Sequence, residues 1–316
     1  MLGCIIGDIA GSTCEFDEFK SKDFPLFFKG SEYTDDSIMA LAVASALIKG
    51  REEGKGQPQR PLRELMVEEM QRLGRKYPYP MGAYGARFSR WLRSDDPQPY
   101  YSCGNGSAMR AAPCGFMAVT LPEAIALAKV SAEVTHDHPE GIKGAQATAA
   151  CVFLARSGRT KEEIRDYVRA HYYPLDQTLD EIRPGYGFRD TCQTTVPQAI
   201  QAFLESESFE DAIRCAISLG GDADTLTCIT GGIAEAYYFC GRGCPIPWTG
   251  PVRFAERDDG TREDPRLSLL PEGVLEQVRA LLPEDLTEIA DLFAQVAAYR
   301  EGAFDRIGIV RPYILG

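Results

Sequence analysis

Histidine is scarce in this sequence: 3 residues in 316, two of them inside Thr135-His136-Asp137-His138-Pro139-Glu140. That supply argues against a histidine-built zinc centre, and Ser107 lacks the Gly-x-Ser-x-Gly elbow that would present a nucleophile to a histidine base. Long apolar runs are missing as well. The longest, Ile38 to Ile48, has 11 residues, against ~20 for a helix that spans a bilayer. Met1 to Ala10 is apolar, but it has no basic n-region and Asp8 interrupts it, which does not fit a secretory signal. Positive charge is the deficient sign. The 34 Lys and Arg face 46 Asp and Glu, a net of -12, and such a surface repels phosphate backbones and anionic lipid. General nucleic-acid binding and membrane association are therefore excluded, although a local basic pocket stays open. No Gly-x-Gly-x-x-Gly motif sits in a strand–helix context, and no stretch alternates like a sheet strand.

Cysteine, by contrast, is present ten times. Most copies lie in apolar or small-residue segments such as Ala150-Cys151-Val152-Phe153, so buried free thiols of a reducing compartment are expected rather than a disulfide framework. Cys240 and Cys244 have no second pair at zinc-ligand spacing. A soluble, cytoplasmic protein follows. Its 44% hydrophobic content is ample for a core at this length, and a single domain over residues 1–316 is expected.

The periodicity is helical. Thr34-Asp35-Asp36-Ser37 opens an Ala- and Leu-rich run that is apolar nearly all round, which marks a central buried helix. Ser/Thr-x-x-Glu/Gln/Asp capping signals predict helices from Thr120 to about Val134, Thr160 to about His171, Thr195 to Leu204 and Ser208 to Leu219. Helical spacing also covers 62–75, 141–155, 224–239, 272–282 and 286–299. Gly50 to Pro61, Tyr77 to Tyr101 and Thr249 to Pro271 read as loops. The fold class expected is all-α, a compact globule of many helices.

Two helix starts share one chemistry. Thr34-Asp35-Asp36 and Asp222-Ala223-Asp224-Thr225 each place two Asp and a Thr at the head of an apolar helix. One reading is simple N-capping. The other is cation binding, because adjacent carboxylates entering a buried region need a compensating charge. Asp35, Asp36, Asp222 and Asp224 carry four negative charges, matched by two divalent cations, and Glu15 can add a fifth. Carboxylates and the Thr34 and Thr225 hydroxyls are hard oxygen donors that suit Mg²⁺ or Mn²⁺. Gly104-Asn105-Gly106-Ser107-Ala108-Met109-Arg110 combines small residues with one basic side chain, either a phosphate cradle or an ordinary turn into a helix. His136 and His138 are either a metal pair or parts of a helix cap.

In order along the chain, Gly7-Asp8-x-x-Gly11-x-x-x-Glu15, Thr34-Asp35-Asp36, Gly104 to Arg110, Thr135-His136-x-His138-Pro139, Gly220-Gly221-Asp222-Ala223-Asp224-Thr225 and Gly231-Gly232-Ile233-Ala234-Glu235-Ala236 resemble the ADP-ribosylglycohydrolase family, which includes the dinitrogenase-reductase-activating glycohydrolases. The resemblance implies a compact all-α fold and a binuclear Mg²⁺ or Mn²⁺ centre with Thr34, Asp35, Asp36, Asp222, Asp224 and Thr225 as ligands. It places Glu15 beside the metals on a loop that can approach or leave. Glu15, or a metal-site carboxylate such as Asp35 or Asp36, would act as base or proton relay. Gly104, Asn105, Gly106, Ser107, Met109 and Arg110 would hold the diphosphate of ADP-ribose, with His136 near the same cleft. The implied reaction is hydrolysis of the glycosidic bond between ADP-ribose and an acceptor, with protein arginine favoured by family analogy. O-linked conjugates and small molecules are the alternative acceptors. A two-metal phosphoester hydrolase and a non-catalytic ADP-ribose binder are the readings from other classes. Met81 to Leu92, aromatic and basic, is either a cover for the cleft or a surface loop around a packed Trp91.

Overall fold

The computed structural model describes residues 1–16, 18–52, 60–240, 255–256, 262–263, 270 and 272–303. Its first helix, α1 (Leu2–Gly11), carries Gly3, Gly7 and Gly11 along one face. That face lies so close to the later helix Ala223–Glu235 that a Cβ on Gly7 would stand 2.0 Å from the Thr227 carbonyl oxygen. The Thr227 hydroxyl donates across the contact to the Gly7 carbonyl at 2.6 Å. Close backbone approach of this kind needs glycine on a repeating helical face.

Around this pair run α2 (Asp35–Glu52), α3 (Leu62–Lys76), α4 (Ala86–Arg93), the short α5 (Gly106–Met109) and α6 (Ala112–Met117), then α7 (Leu121–Glu133), α8 (Pro139–Arg156) and α9 (Lys161–His171). Further on come α10 (Leu179–Ile182), α11 (Cys192–Glu205), α12 (Phe209–Ile217), α13 (Ala223–Glu235), α14 (Val274–Leu281) and α15 (Glu284–Ala303). Ala255–Glu256 and Arg262–Glu263 form a two-residue antiparallel pair. The architecture is all-α, as the periodicity predicts. The α2 segment from Ile38 to Leu47 is buried throughout, consistent with its apolar pattern. Cys4, Cys114, Cys151, Cys192, Cys215 and Cys228 are buried free thiols. Cys244 lies outside the described residues, as does most of the expected loop from Thr249 to Pro271.

Thr120, Thr160 and Ser208 cap α7, α9 and α12 with their hydroxyl oxygens, and Thr160 with Glu163 completes a reciprocal box. Three expectations need correction. The loop expected from Gly50 does not begin there, because α2 continues through Glu52. Thr195 does not open a helix: α11 starts at Cys192 and runs through Pro197. Thr195 is instead buried, its hydroxyl bonded to the Arg189 carbonyl at 3.1 Å and to Asn105 at 3.1 Å. The stretch from Tyr77 to Tyr101 is not loop throughout, since α4 occupies its middle. Phe88, Trp91 and Leu92 form one apolar stripe that packs inward, and Leu92 fills the space left by Gly74.

Candidate metal centre and substrate cleft

The α1–α13 contact carries Asp8 to the start of α13. A second contact brings in the start of α2. The Thr34 amide and hydroxyl donate to Asp8 at 2.9 and 2.6 Å, the Ser37 amide donates to it at 3.1 Å, and the Ser37 hydroxyl also donates to it. Thr34 in turn caps α2, accepting from the Asp36 amide at 3.2 Å. Across the gap the Thr225 hydroxyl donates to Asp36 Oδ2 at 3.3 Å. The two helix starts therefore face each other. Their aspartates are not ordinary caps: Asp222 precedes α13 without a side-chain capping bond. It is reached through Gly220 and Gly221, both with positive φ (72° and 81°), and a Cβ on Gly221 would meet the Gly187 carbonyl at 2.6 Å.

The result is two carboxylate triads. Oxygens of Asp8, Asp36 and Asp224 lie within 4.8 Å of one another, and so do those of Glu15, Asp222 and Asp224. Asp224 belongs to both. Asp35 is half-buried alongside but belongs to neither. Burial, followed by the neighbouring negative charges, raises the titration of Asp35, Asp36 and Asp224 well above the usual carboxylate range. Burial also raises Asp222, against hydrogen bonds that favour its charged form. It pushes Asp8 up to about 6, against the bonds from Ser37 and Thr34. Glu15 is pushed up to about 7 by burial and by the charges of Asp222 and Asp8.

A cation fits this set. Asp36 Oδ1 is buried with no hydrogen-bond partner, and a buried carboxylate oxygen without one is costly unless a positive charge faces it. The donors are all oxygens, the preference of hard divalent ions. Asp8 differs from Asp36 in having its oxygens engaged by Thr34 and Ser37. It thereby takes the Thr34 hydroxyl proton and leaves that oxygen a lone pair for a cation. Asp8 is the residue that sequence reasoning missed as part of the centre. Its signals were a lone Asp inside an apolar helix and its place in the Gly7-Asp8-x-x-Gly11 motif.

Glu15 sits beyond the short helical turn at Ser12–Cys14 and is followed by Phe16, whose φ of 69° is positive. A Cβ on Gly82 would stand 2.7 Å from Glu15 Oε2, so the Met81 segment borders the acidic centre. Met81 also bridges to Thr34. On the rim, Phe16 stacks on Phe188 at 4.8 Å, and both rings are exposed.

The Gly104–Arg110 loop borders the second triad. Asn105 Nδ2 donates to Asp222 Oδ2 at 2.7 Å, and Ser107 Oγ donates to the Gly141 carbonyl at 2.7 Å. Met109 is buried near Gly106. Arg110 points inward, fully buried, and Nη2 donates to the Ser131 carbonyl and the Thr135 hydroxyl at 2.8 and 2.7 Å. The polar side chains of the loop are thus committed to the protein interior, and what it offers outward is backbone. His136 is buried beneath Gly104 and Gly106, with Nδ1 2.7 Å from the Thr135 hydroxyl. His138 caps α8 through Nδ1, which accepts from the Glu140 amide at 3.0 Å.

An all-helical frame with two carboxylate triads at facing helix starts defines a class of helical protein built around an acidic, cation-type centre. The sequence model for ADP-ribosylglycohydrolase matches residues 1–301. The chain belongs to that family, and it is a hydrolase of the ADP-ribosyl glycosidic bond. ADP-ribosylarginine hydrolase Tri1 of Pseudomonas putida is 29% identical over 283 residues, covering 81% of this chain and 74% of that protein. Tri1 of Serratia proteamaculans is 27% identical, with 81% and 75% covered. ADP-ribosylhydrolase ARH3 of Xenopus tropicalis is 25% identical, with 75% and 85% covered. Among solved structures, an ADP-ribosylglycohydrolase-related protein complex superposes with a TM-score of 0.64 over 95% of each chain at 24% identity, a likeness of fold. No described helix is long and apolar enough to cross a membrane.

Proposed function

We propose that this protein removes ADP-ribose from protein arginine, using two divalent cations, Mg²⁺ or Mn²⁺. The carrying observation is the pair of triads that share Asp224, with Asp36 Oδ1 buried and unpartnered between the helix starts. Thr34, Asp35, Asp36, Asp222, Asp224 and Thr225 would hold the cations, with Asp8 orienting Thr34. When bound, the cations supply compensating charge, anchor ribose hydroxyls and orient the attacking water. The similarity to two proteins named ADP-ribosylarginine hydrolase supports arginine as the acceptor.

The remaining roles belong to the chain's own groups. Cleavage at the anomeric carbon builds positive charge on the ribose, and the surrounding carboxylates favour that charge. Glu15 is the carboxylate least tied to a helix start. It takes the proton of the attacking water at its carboxylate oxygen and can return one to the leaving nitrogen. Asn105 holds Asp222 by its amide, which fixes the loop against the acidic centre. With its polar side chains turned inward, the loop meets the diphosphate through the first amide N–H groups of α5, which have no partner inside the helix. The half-buried Gly106 supplies one of them, whereas Ser107 is fully buried.

The test is product identity from an arginine-ADP-ribosylated protein incubated with Mg²⁺ or Mn²⁺. Free ADP-ribose that stops appearing with EDTA is the expected result. AMP would indicate diphosphate cleavage. Release only from O-linked or small-molecule conjugates would discard arginine, and binding without product would discard catalysis.

A further inference from the structure

We propose that Arg110 and Thr135 are positioning residues that hold neutral His136 in its Nε2–H tautomer, so that Nε2 presents a hydrogen-bond donor to a ligand oxygen at the Gly104–Gly106 loop. The role toward a ligand rests on the reading of this cleft as an ADP-ribose site. The tautomer follows from the protein alone.

A guanidinium has only donors to offer. The Thr135 hydroxyl oxygen, 2.7 Å from Arg110 Nη2, must therefore accept there. Its other partner among the described residues is His136 Nδ1, also at 2.7 Å. Thr135 is fully buried, so its single proton has one place to go. It goes to Nδ1, which makes Nδ1 the acceptor and leaves the ring's own proton on Nε2. In the opposite tautomer the Thr135 oxygen would accept twice and its proton would be buried without an acceptor. The doubly protonated ring is disfavoured too, because burial and then the positive charges of Arg110 and Arg87 hold His136 well below its ordinary value.

The free nitrogen faces the loop. A Cβ on Gly104 would lie 3.4 Å from Nε2, and one on Gly106 would lie 3.5 Å from it. Nε2 makes no hydrogen bond to any described residue, and the two glycines leave open the space that an acceptor of its proton would use. The basic residue of the loop thus acts inward, through His136, and the outward donor is an uncharged imidazole N–H.

The experiment is ¹⁵N NMR of protein labelled at histidine, where 3 histidines give a sparse spectrum and His136→Gln assigns the signal. The wild type is expected to show protonated Nε2 and a hydrogen-bonded, unprotonated Nδ1. Thr135→Val keeps the shape and removes the hydroxyl. It should move Nδ1 to the value of an unbonded ring nitrogen, mix the tautomers and weaken ADP-ribose binding about tenfold. Thr135→Ser should restore all three, and Arg110→Met should bring up the Nδ1–H form. A wild-type ring protonated at Nδ1, or an Nδ1 signal indifferent to Thr135→Val, would overturn the proposal. If the valine variant does not fold, the wild-type and serine spectra still decide the tautomer. ADP-ribose release on the same samples tests the functional reading alone. The expected spectrum without release from any conjugate would leave the relay standing and remove the substrate assignment.

Discussion

Gly7→Ala is the sharpest probe of how the centre is assembled. The added methyl carbon would lie 2.0 Å from the Thr227 carbonyl oxygen, 2.5 Å from its carbon and 3.0 Å from the Cys228 nitrogen. All three are backbone atoms, so no rotamer change relieves the clash. Reaching an ordinary contact of 3.4 Å requires α1 and α13 to part by about 1.4 Å. Such overpacking costs ~1–3 kcal/mol, and separation also weakens the Thr227-to-Gly7 hydrogen bond, worth ~1 kcal/mol. Alanine returns ~1 kcal/mol in helix propensity. The net is a loss of ~1–3 kcal/mol, together with displacement of Asp224 from Asp8 and Asp36. Gly50→Ala in α2 is the control, since its nearest neighbours are flexible leucine methyls at 3.4 and 3.5 Å. There the propensity gain of ~0.5–1 kcal/mol should survive. Urea unfolding in EDTA, followed by Mn²⁺ titration of the folded variants, reads both effects. Gly7→Ala unfolding at the wild-type midpoint with wild-type Mn²⁺ affinity would refute the close-approach argument.

Three other outcomes follow from the same geometry. Glu15→Gln should still bind Mn²⁺, more weakly at the triad to which Glu15 belongs, and at saturating Mn²⁺ should lose at least about 100-fold in turnover, as expected for a lost proton-transfer group; wild-type rates would remove Glu15 from that role. Asn105→Ala leaves Asp222 Oδ2 without its amide donor and should lower both Mn²⁺ affinity and turnover about tenfold or more, measured by titration and by ADP-ribose release, and unchanged values would show that the Asn105 contact does not organise the centre. In the chelated protein, Asp8 (about 6 against 3.8) and Glu15 (about 7 against 4.5) titrate higher when folded than their ordinary values. The folded state then binds more protons than the unfolded one across roughly pH 4 to 7, so stability is greatest below that window and falls as pH rises through it. Thermal melts should show Tm decreasing from pH 5 to 8 in EDTA, with a larger Mn²⁺-induced rise at pH 8; the opposite slope would show that the carboxylates do not control it.

Much of this was legible in the residues. Thr120, Thr160 and Ser208 announced their helices because a side-chain cap is a local device that depends on its own sequence neighbours. The facing helix starts were legible because Asp-rich entries to apolar helices are hard to bury without a counter-charge. Long-range effects were not. Thr195 looks like a cap, but tertiary contacts to Arg189 and Asn105 claim its hydroxyl. α4 is hidden among prolines, although Phe88, Trp91 and Leu92 stand at helical spacing. Asp8 reads as an interruption in an apolar run until the α1–α13 contact shows what it faces. Arg110 reads as the basic side chain of a phosphate cradle, whereas its partners, Ser131 and Thr135, lie 21 and 25 residues away and draw it inward.

Mn²⁺ stoichiometry by equilibrium dialysis, on the wild type and on Asp224→Asn, tests most directly whether two carboxylate triads sharing one residue form the reaction centre. Two ions per wild-type chain and loss of both tight sites in the variant are the expected result, because Asp224 belongs to each triad. A wild type that binds no Mn²⁺, or a variant that keeps both ions at unchanged affinity, would contradict it.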